Sequence, residues 1–189
     1  MGMLKVLATN FLSEELSERN VLNLGCGRKR VPEAINLDVT DVTNPDVRHD
    51  LNVAPWPFPD GQFREVLAYD VVEHLNDVIA TMEEIHRVCQ HGAIVRITVP
   101  HFSSANTFID PTHRHAFGWQ SFDYVTGEHE HSFYTRTRFR YRTRQMIFVP
   151  SQTNRLVGWL ARRYPAKYEQ RWAWMFPAWY LYFELEVLK

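Results

Sequence analysis

Cysteine is scarce in this chain: Cys26 and Cys89 are the only two in 189 residues. A single pair cannot build a disulfide framework, so stability must come from a buried core, and free thiols suit a reducing, cytoplasmic setting. Charge excess is missing as well. A net charge of −1 gives no general attraction to nucleic acid or to an anionic membrane. No basic start followed by an apolar stretch marks a secretory signal. No hydrophobic run reaches the roughly 20 residues that a membrane-spanning helix needs. The longest aromatic stretch, "WAWMFPAWYLYF", is shorter and is broken by Pro177. It reads as an aromatic flap packed on the domain, with a segment lying on a membrane surface as the other reading. Repeats and low-complexity tracts are absent too. What remains is ordinary globular composition, 45% hydrophobic and 23% charged, in a chain long enough for one domain with a sizeable core.

Four short apolar runs punctuate the first hundred residues: "NVLNL" at 20–24, "EAINLDV" at 33–39, "EVLAYDV" at 65–71 and "AIVRITVP" at 93–100. Their length and flanking turn residues predict buried strands. Between the last two, Val78, Met82, Ile85 and Val88–Cys89 recur at helical spacing, with Gly92 as the expected stop. Strand–helix–strand alternation predicts an α/β fold, a doubly wound and mostly parallel sheet covered by helices. The segment from His101 to Arg138 breaks the rhythm. It follows the C-terminal end of the fourth predicted strand, the edge where open α/β sheets bind ligands, and reads as an ordered insertion. "FRYRTRQMIFV" at 139–149 alternates as a strand, "NRLVGWLARRY" as an amphipathic helix, and "YLYFELEVLK" closes the chain as a strand.

The turn "LNLGCG" and Asp38, eleven positions beyond Gly27, form the most informative pair. Glycines let a ligand approach the backbone, and an acid at the tip of the next strand can accept both hydroxyls of a ribose. The dinucleotide fingerprint needs a third small residue, where this chain has Arg30. An adenosine-bearing cofactor other than a dinucleotide is therefore the better match.

"VLNLGCGRKRVPEAINLDV", "HDLNVAPWPFPDGQFREVLAYDVVEHL" and "EEIHRVCQHGAIVRITVPHF" occur in that order. Together they resemble the class I S-adenosylmethionine-dependent methyltransferases, in particular the broad type 11 group of small-molecule enzymes, over about residues 18–149. The resemblance implies a Rossmann-like methyltransferase fold, with the whole of 1–189 as one domain. Within it, a cofactor core would span about 18–100, an acceptor-pocket insertion about 101–138, and a C-terminal helix and aromatic segment about 150–180. By the same resemblance S-adenosyl-L-methionine is the cofactor. Gly25, Cys26 and Gly27 would pass its methionine moiety, Asp38 with Val39 would meet the ribose, and Asp50 with Leu51 the adenine. Tyr69 and Asp70 would lie under the amino group, and His74 would reach the carboxylate, directly or through water. Glu73 stays open between this site and a plain helix-start acid. Arg28 is read as solvated, with the cofactor carboxylate as its other partner. The first crossover leaves room for a helix of only about two turns, which resembles a subgroup with clipped first helices, some of whose members act on sugars and glycans.

Five of the nine histidines fall between His101 and His131. Methyl transfer is an in-line displacement that depends on positioning, and an oxygen acceptor must also lose a proton, which suits histidine. His113 and His115 are the expected bases, with His101 orienting the acceptor and Asp110, Arg136 and Arg138 binding it. No metal is assigned, although His101, Asp110, His113 and His115, joined by 129–131, could form a mixed nitrogen and oxygen site. The expected activity is methyl transfer to a hydroxyl or amine of a small polar molecule such as a sugar, glycan precursor or secondary metabolite. Metal-assisted transfer and a non-catalytic cofactor-binding subunit are the alternatives. The late aromatics could stack on the acceptor or bury a homodimer interface.

Overall fold

The computed structural model describes residues 19–127, 129–130 and 132–189. The N-terminus through residue 18, and Glu128 and His131 of the second histidine doublet, lie outside the described residues. Seven strands form one sheet: β1 (Val21–Leu24), β2 (Ile35–Asp38), β3 (Val47–Arg48), β4 (Phe63–Tyr69), β5 (Cys89–Pro100), β6 (Arg138–Ile147) and β7 (Tyr180–Leu188). Their order is β3-β2-β1-β4-β5-β7-β6. The β1–β2, β1–β4, β2–β3 and β4–β5 pairs are parallel, whereas β7 runs antiparallel to both β5 and β6. The two-residue β3 escapes the periodicity because it is too short to have one.

Helix α1 (Val78–Val88) carries the chain from β4 to β5. Asp77 caps it by accepting from the Ala80 amide, and Met82, Ile85 and Val88 turn into the core. The helix stops earlier than its sequence suggests, since Cys89 already pairs with Phe63. Gly92, the expected stop, adopts φ +79 at the point where β5 shifts register against β4, a conformation open to glycine at no steric cost. Helices α2 (Gln152–Arg163) and α3 (Pro165–Arg171) fill the connection from β6 to β7.

Register explains why "AIVRITVP" reads as apolar with two exceptions. Val66, Val95 and Leu185 lie abreast, as do Ala68, Ile97 and Phe183, and all six are fully buried on one face. The residues between them, Arg96 and Thr98, share the opposite face with Glu65, Tyr69, Tyr182 and Glu184. There Arg96 pairs with both Glu65 and Glu184. Further along, Arg140 and Arg142 converge on the nearly buried Glu186. The four arginines of β6 are thus not one ladder. A register shift between Tyr141 and Thr143 turns Arg144 to the other side, where it pairs with Asp123 at 2.9 Å and lies over the Tyr141 ring.

No helix forms in the first crossover. Residues 25–34 are a string of turns, and the buried Asn36 side chain takes over the backbone bonding that a helix would supply. Its amide oxygen accepts from Val31 N and from Asn23 Nδ2, while its nitrogen donates to the Val31 and Ala34 carbonyls and to Asp46. Asn23 Nδ2 also donates to the Lys29 carbonyl. Pro32 removes one of the donors a helix would need.

The segment between β5 and β6 is irregular but anchored, with helical turns at Asn106–Ile109 and Asp123–Thr126. Phe117 and Phe122 stack within it, and Phe122 meets Phe183 of the sheet edge-on. The late aromatic segment differs from a packed flap. Its small residues Ala173 and Ala178 are buried, while Trp172, Trp174, Met175 and Trp179 are 43–69% exposed. Among the described residues no helix is long and apolar enough to cross a membrane.

Candidate active site

The C-terminal ends of β1, β2 and β4 meet at the glycine turn. Cys26 N bonds the Leu37 carbonyl, and Gly27 N donates to Asp38 Oδ2 at 2.8 Å. Asp38, nearly buried at the tip of β2, accepts from Thr40 N with its other oxygen. The two glycines are not equivalent. Gly25 has φ +55, and a β-carbon there would come within 2.4 Å of Val71 Cγ2. Gly27 has φ +49, and its β-carbon would meet only the Gly25 carbonyl oxygen, at 4.0 Å. Gly25 is therefore required by the fold, and the open backbone that a ligand can approach is at Gly27. Cys26 is buried, and burial followed by the Asp38 charge pushes its thiol pKa up, so it serves as a neutral wall and not as a nucleophile.

Asp70 follows β4 with φ 55, fixed by its amide to the Thr98 carbonyl and by the Thr98 hydroxyl to Oδ1. Its other oxygen pairs with Lys29 at 3.2 Å, tying the first crossover to the β4 edge. Leu51 lies in the core, and the exposed Asp50 binds Asn52, whose side chain in turn holds the Asn76 amide. Val39 is exposed. The Tyr69 ring turns away to the polar sheet face; burial, then Tyr182 and Glu184, raise its pKa.

Beyond Asp70 opens a cavity of ≈ 280 Å³ lined by Asp70, Glu73, His74, Asn106, Ile109, Asp110, His113 and Tyr180. The turn Val72–His74 supplies Glu73 and His74, and the "DPTHRHAF" stretch is fastened to it through main chain. Arg114 N donates to the Glu73 carbonyl at 2.8 Å, and a ring nitrogen of His115 bonds the Leu75 carbonyl at 2.8 Å. Glu73 is 1% exposed, and neither carboxylate oxygen has a hydrogen-bond partner in another residue. Desolvation, reinforced by Asp70 and Asp110, lifts its pKa to about 7. Its Oε1 stands 3.9 Å from His113 Nε2, and the His74 and His113 rings meet edge-on at 4.6 Å. Burial, then the neighbouring His113, depresses the pKa of His74.

The predicted residues separate into two groups. Asp70, His74, Asp110 and His113 line the cavity. His101, fully buried, bonds Ser103 and Glu169 and packs on Phe102, so it braces the insertion against α3. His115 is engaged with Leu75. Arg136 is exposed, and Arg138 donates to the Thr135 and Thr137 carbonyls; neither lines the cavity. Tyr180 and Asn106 were not anticipated. The signal for Tyr180 is topological: because β7 is antiparallel, its first residue lies beside Pro100 at the edge where the parallel strands end. A larger cavity of ≈ 520 Å³ lies between α2 and α3, but apart from Lys167 and two tyrosines its lining is apolar, and it is remote from the glycine turn in sequence and topology. The chemistry-bearing space is the smaller one.

Known proteins share this fold. Residues 44–97, from just before β3 into β5, match the family described as methyltransferase domain. No curated protein sequence matches the chain significantly. Among solved structures, a SAM-dependent methyltransferase from Archaeoglobus fulgidus is 15% identical, with 97% of this chain and 93% of that one covered and a TM-score of 0.56. The YcgJ protein from Bacillus subtilis is 13% identical, covering 96% and 97%, with a TM-score of 0.59. The [4+2]-cyclase SpnF is 18% identical, covering 96% and 80%, with a TM-score of 0.55. Sheet order, the family match and these neighbours together give the chain the fold of the class I S-adenosylmethionine-dependent methyltransferases, with the methyltransferase-domain signature in residues 44–97.

Proposed function

We propose that the protein is an S-adenosylmethionine-dependent methyltransferase whose acceptor, a hydroxyl-bearing or amine-bearing small polar molecule, enters the cavity beside Asp70. The observation that carries this reading is the glycine turn clamped to Asp38 and opening at Gly27, next to a cavity rich in titratable groups. The donor set fits the cofactor: uncrowded backbone at Gly27, an acid at the β2 tip for vicinal hydroxyls, and the Leu51 segment for the adenine. S-adenosylmethionine supplies an electrophilic methyl group on sulfonium. The chain's task is to hold an acceptor in line and to exclude competing water. Asp38 and Asp70 hold the cofactor side, and Asp110, Asn106 and Tyr180 offer hydrogen bonds to the acceptor. Of the three histidines expected to act, His113 is the one that turns Nε2 to the cavity, and it handles the acceptor's oxygen directly or through a bound ion.

Calorimetric titration with S-adenosylmethionine tests the cofactor half. Wild-type protein is expected to bind one equivalent, and Asp38→Ala to bind at least tenfold more weakly while remaining folded. Mass spectrometry of hydroxyl and amine acceptor panels tests the transfer half. Folded wild-type protein that takes up no cofactor would overturn the reading.

A further inference from the structure

Among the described residues, Glu73, His74 and His113 offer one ligand atom each within 4.8 Å of one another. Proximity alone would say little, but the hydrogen bonds behind the two imidazoles fix the tautomer of each neutral ring. Thr112 Oγ1 donates to Asp110 Oδ1 at 2.6 Å, so the 2.9 Å bond between that hydroxyl and His74 Nδ1 must be donated by the imidazole. His113 Nδ1 lies 3.2 Å from the Thr107 carbonyl oxygen, which can only accept. In their neutral form both rings thereby carry the proton on Nδ1 and leave the lone pair on Nε2. His113 Nε2 faces a carboxylate that is 1% exposed and has no hydrogen-bond partner from another residue. With both rings neutral and Glu73 ionised, three electron-pair donors face one another. Such a set is completed by a cation, a proton or a metal ion.

We propose that Glu73, His74 and His113 form a binding site for one divalent first-row transition ion, with Thr112–Asp110 and the Thr107 carbonyl as the outer groups that set the imidazole tautomers. Ligands about 2.0–2.2 Å from an ion stand about 3–3.5 Å apart, so the 3.9 Å between His113 Nε2 and Glu73 Oε1 closes with small side-chain rotations. Two imidazoles and one carboxylate favour Mn²⁺, Co²⁺ or Zn²⁺ over Mg²⁺ and Ca²⁺, which prefer all-oxygen shells. Three protein ligands leave coordination positions open, and the cavity borders all three. This differs from a histidine-rich site drawn from His101, His113 and His115, because His101 and His115 are committed elsewhere. Where the methyltransferase reading also holds, on which this last step rests, an ion here narrows the acceptor to one bearing oxygen. It would polarise the hydroxyl and ease loss of its proton to solvent in the open cavity, while the hydroxyl oxygen takes the methyl and the sulfonium leaves as a neutral thioether; His113 acts as a ligand and not as a free base.

The test reads metal binding without cofactor or acceptor, so its outcome is independent of methyl transfer. Full-length protein purified without an affinity tag and stripped with chelator is titrated with Co²⁺ and with Mn²⁺ by calorimetry, and Co²⁺ is also followed by its visible d–d absorption. One equivalent is expected for each ion, with Mg²⁺ binding at least a hundredfold more weakly. Glu73→Gln and His113→Asn should each weaken Co²⁺ binding at least a hundredfold, and Thr112→Val about tenfold through His74. His91→Asn should leave it unchanged. Circular dichroism establishes that each variant is folded; should one ligand variant unfold, His74→Asn takes its place. Absence of saturable Co²⁺ binding to wild type, or Co²⁺ binding that survives in folded Glu73→Gln and His113→Asn, overturns the site.

Discussion

Gly25 and Gly27 sit two residues apart in the same left-handed region, yet alanine should act on them quite differently. At Gly25 the added methyl carbon would lie 2.4 Å from Val71 Cγ2 and 3.0 Å from Val71 Cβ, where carbon atoms normally rest about 3.5–4.0 Å apart. The left-handed backbone costs about 1–2 kcal/mol, and overpacking a nearly buried valine adds about 1–3 kcal/mol. Gly25→Ala should therefore destabilise by about 2–5 kcal/mol. Gly27→Ala meets only a carbonyl oxygen at 4.0 Å, so the backbone cost of about 1–2 kcal/mol stands alone. Val71→Ala in the wild-type background removes two methyl-sized groups, about 1.6 kcal/mol by area, but in Gly25→Ala it vacates the space the new methyl needs. The double variant should match or exceed the stability of Gly25→Ala, with a coupling of about 1.6–3 kcal/mol. Equilibrium urea unfolding followed by tryptophan fluorescence measures all four proteins. Additivity within about 0.5 kcal/mol, or equal losses at the two glycines, would refute the assignment of Gly25 to packing and Gly27 to ligand access.

Asn36→Ala should destabilise by about 3 kcal/mol in urea unfolding, because it strips partners from Val31 and Asn23 and weakens the hold on Asp46 inside a crossover that has no helix of its own. Glu84 should govern part of the acid sensitivity. Arg87 binds both of its oxygens at 2.8 Å, and although burial opposes them, these bonds and the Trp56 amide hold its pKa below the usual 4.5. A depressed carboxylate pKa stabilises the fold above the unfolded value and is lost as pH falls through the folded one. The stability gap between wild type and Glu84→Gln should thus narrow below about pH 4, and a gap constant from pH 7 to 3 would exclude this account.

The sheet was legible because burial on one face leaves period-two marks that survive in sequence. Arg96 and Thr98 inside "AIVRITVP" already signal a polar second face, and register shows them paired with Glu65, Glu184 and Tyr182. What failed was the inference that a crossover between parallel strands must be helical. Asn23, Asn36 and Asp46 are separated in sequence, and nothing local reveals that one amide replaces a helix's bonding. The end of α1 failed for a related reason. Gly92 could have stopped the helix, but pairing of Cys89 with Phe63 competes for the same residues and wins, leaving the glycine to absorb the register shift.

The histidines show how far local spacing can mislead. His113 and His115 lie two apart and would point the same way in a regular strand, but the segment is docked by its backbone onto the Glu73 carbonyl, and the two rings end on different partners. Sequence proximity grouped His101 with them, whereas packing gives His101 to Ser103 and Glu169. The residue that organises the cavity is Glu73, an acid that from sequence alone is indistinguishable from a helix-start residue. Its distinction is burial without a partner, which only the three-dimensional arrangement exposes. A carboxylate buried without a hydrogen bond costs stability, a cost that metal binding by Glu73, His74 and His113, as proposed, would offset.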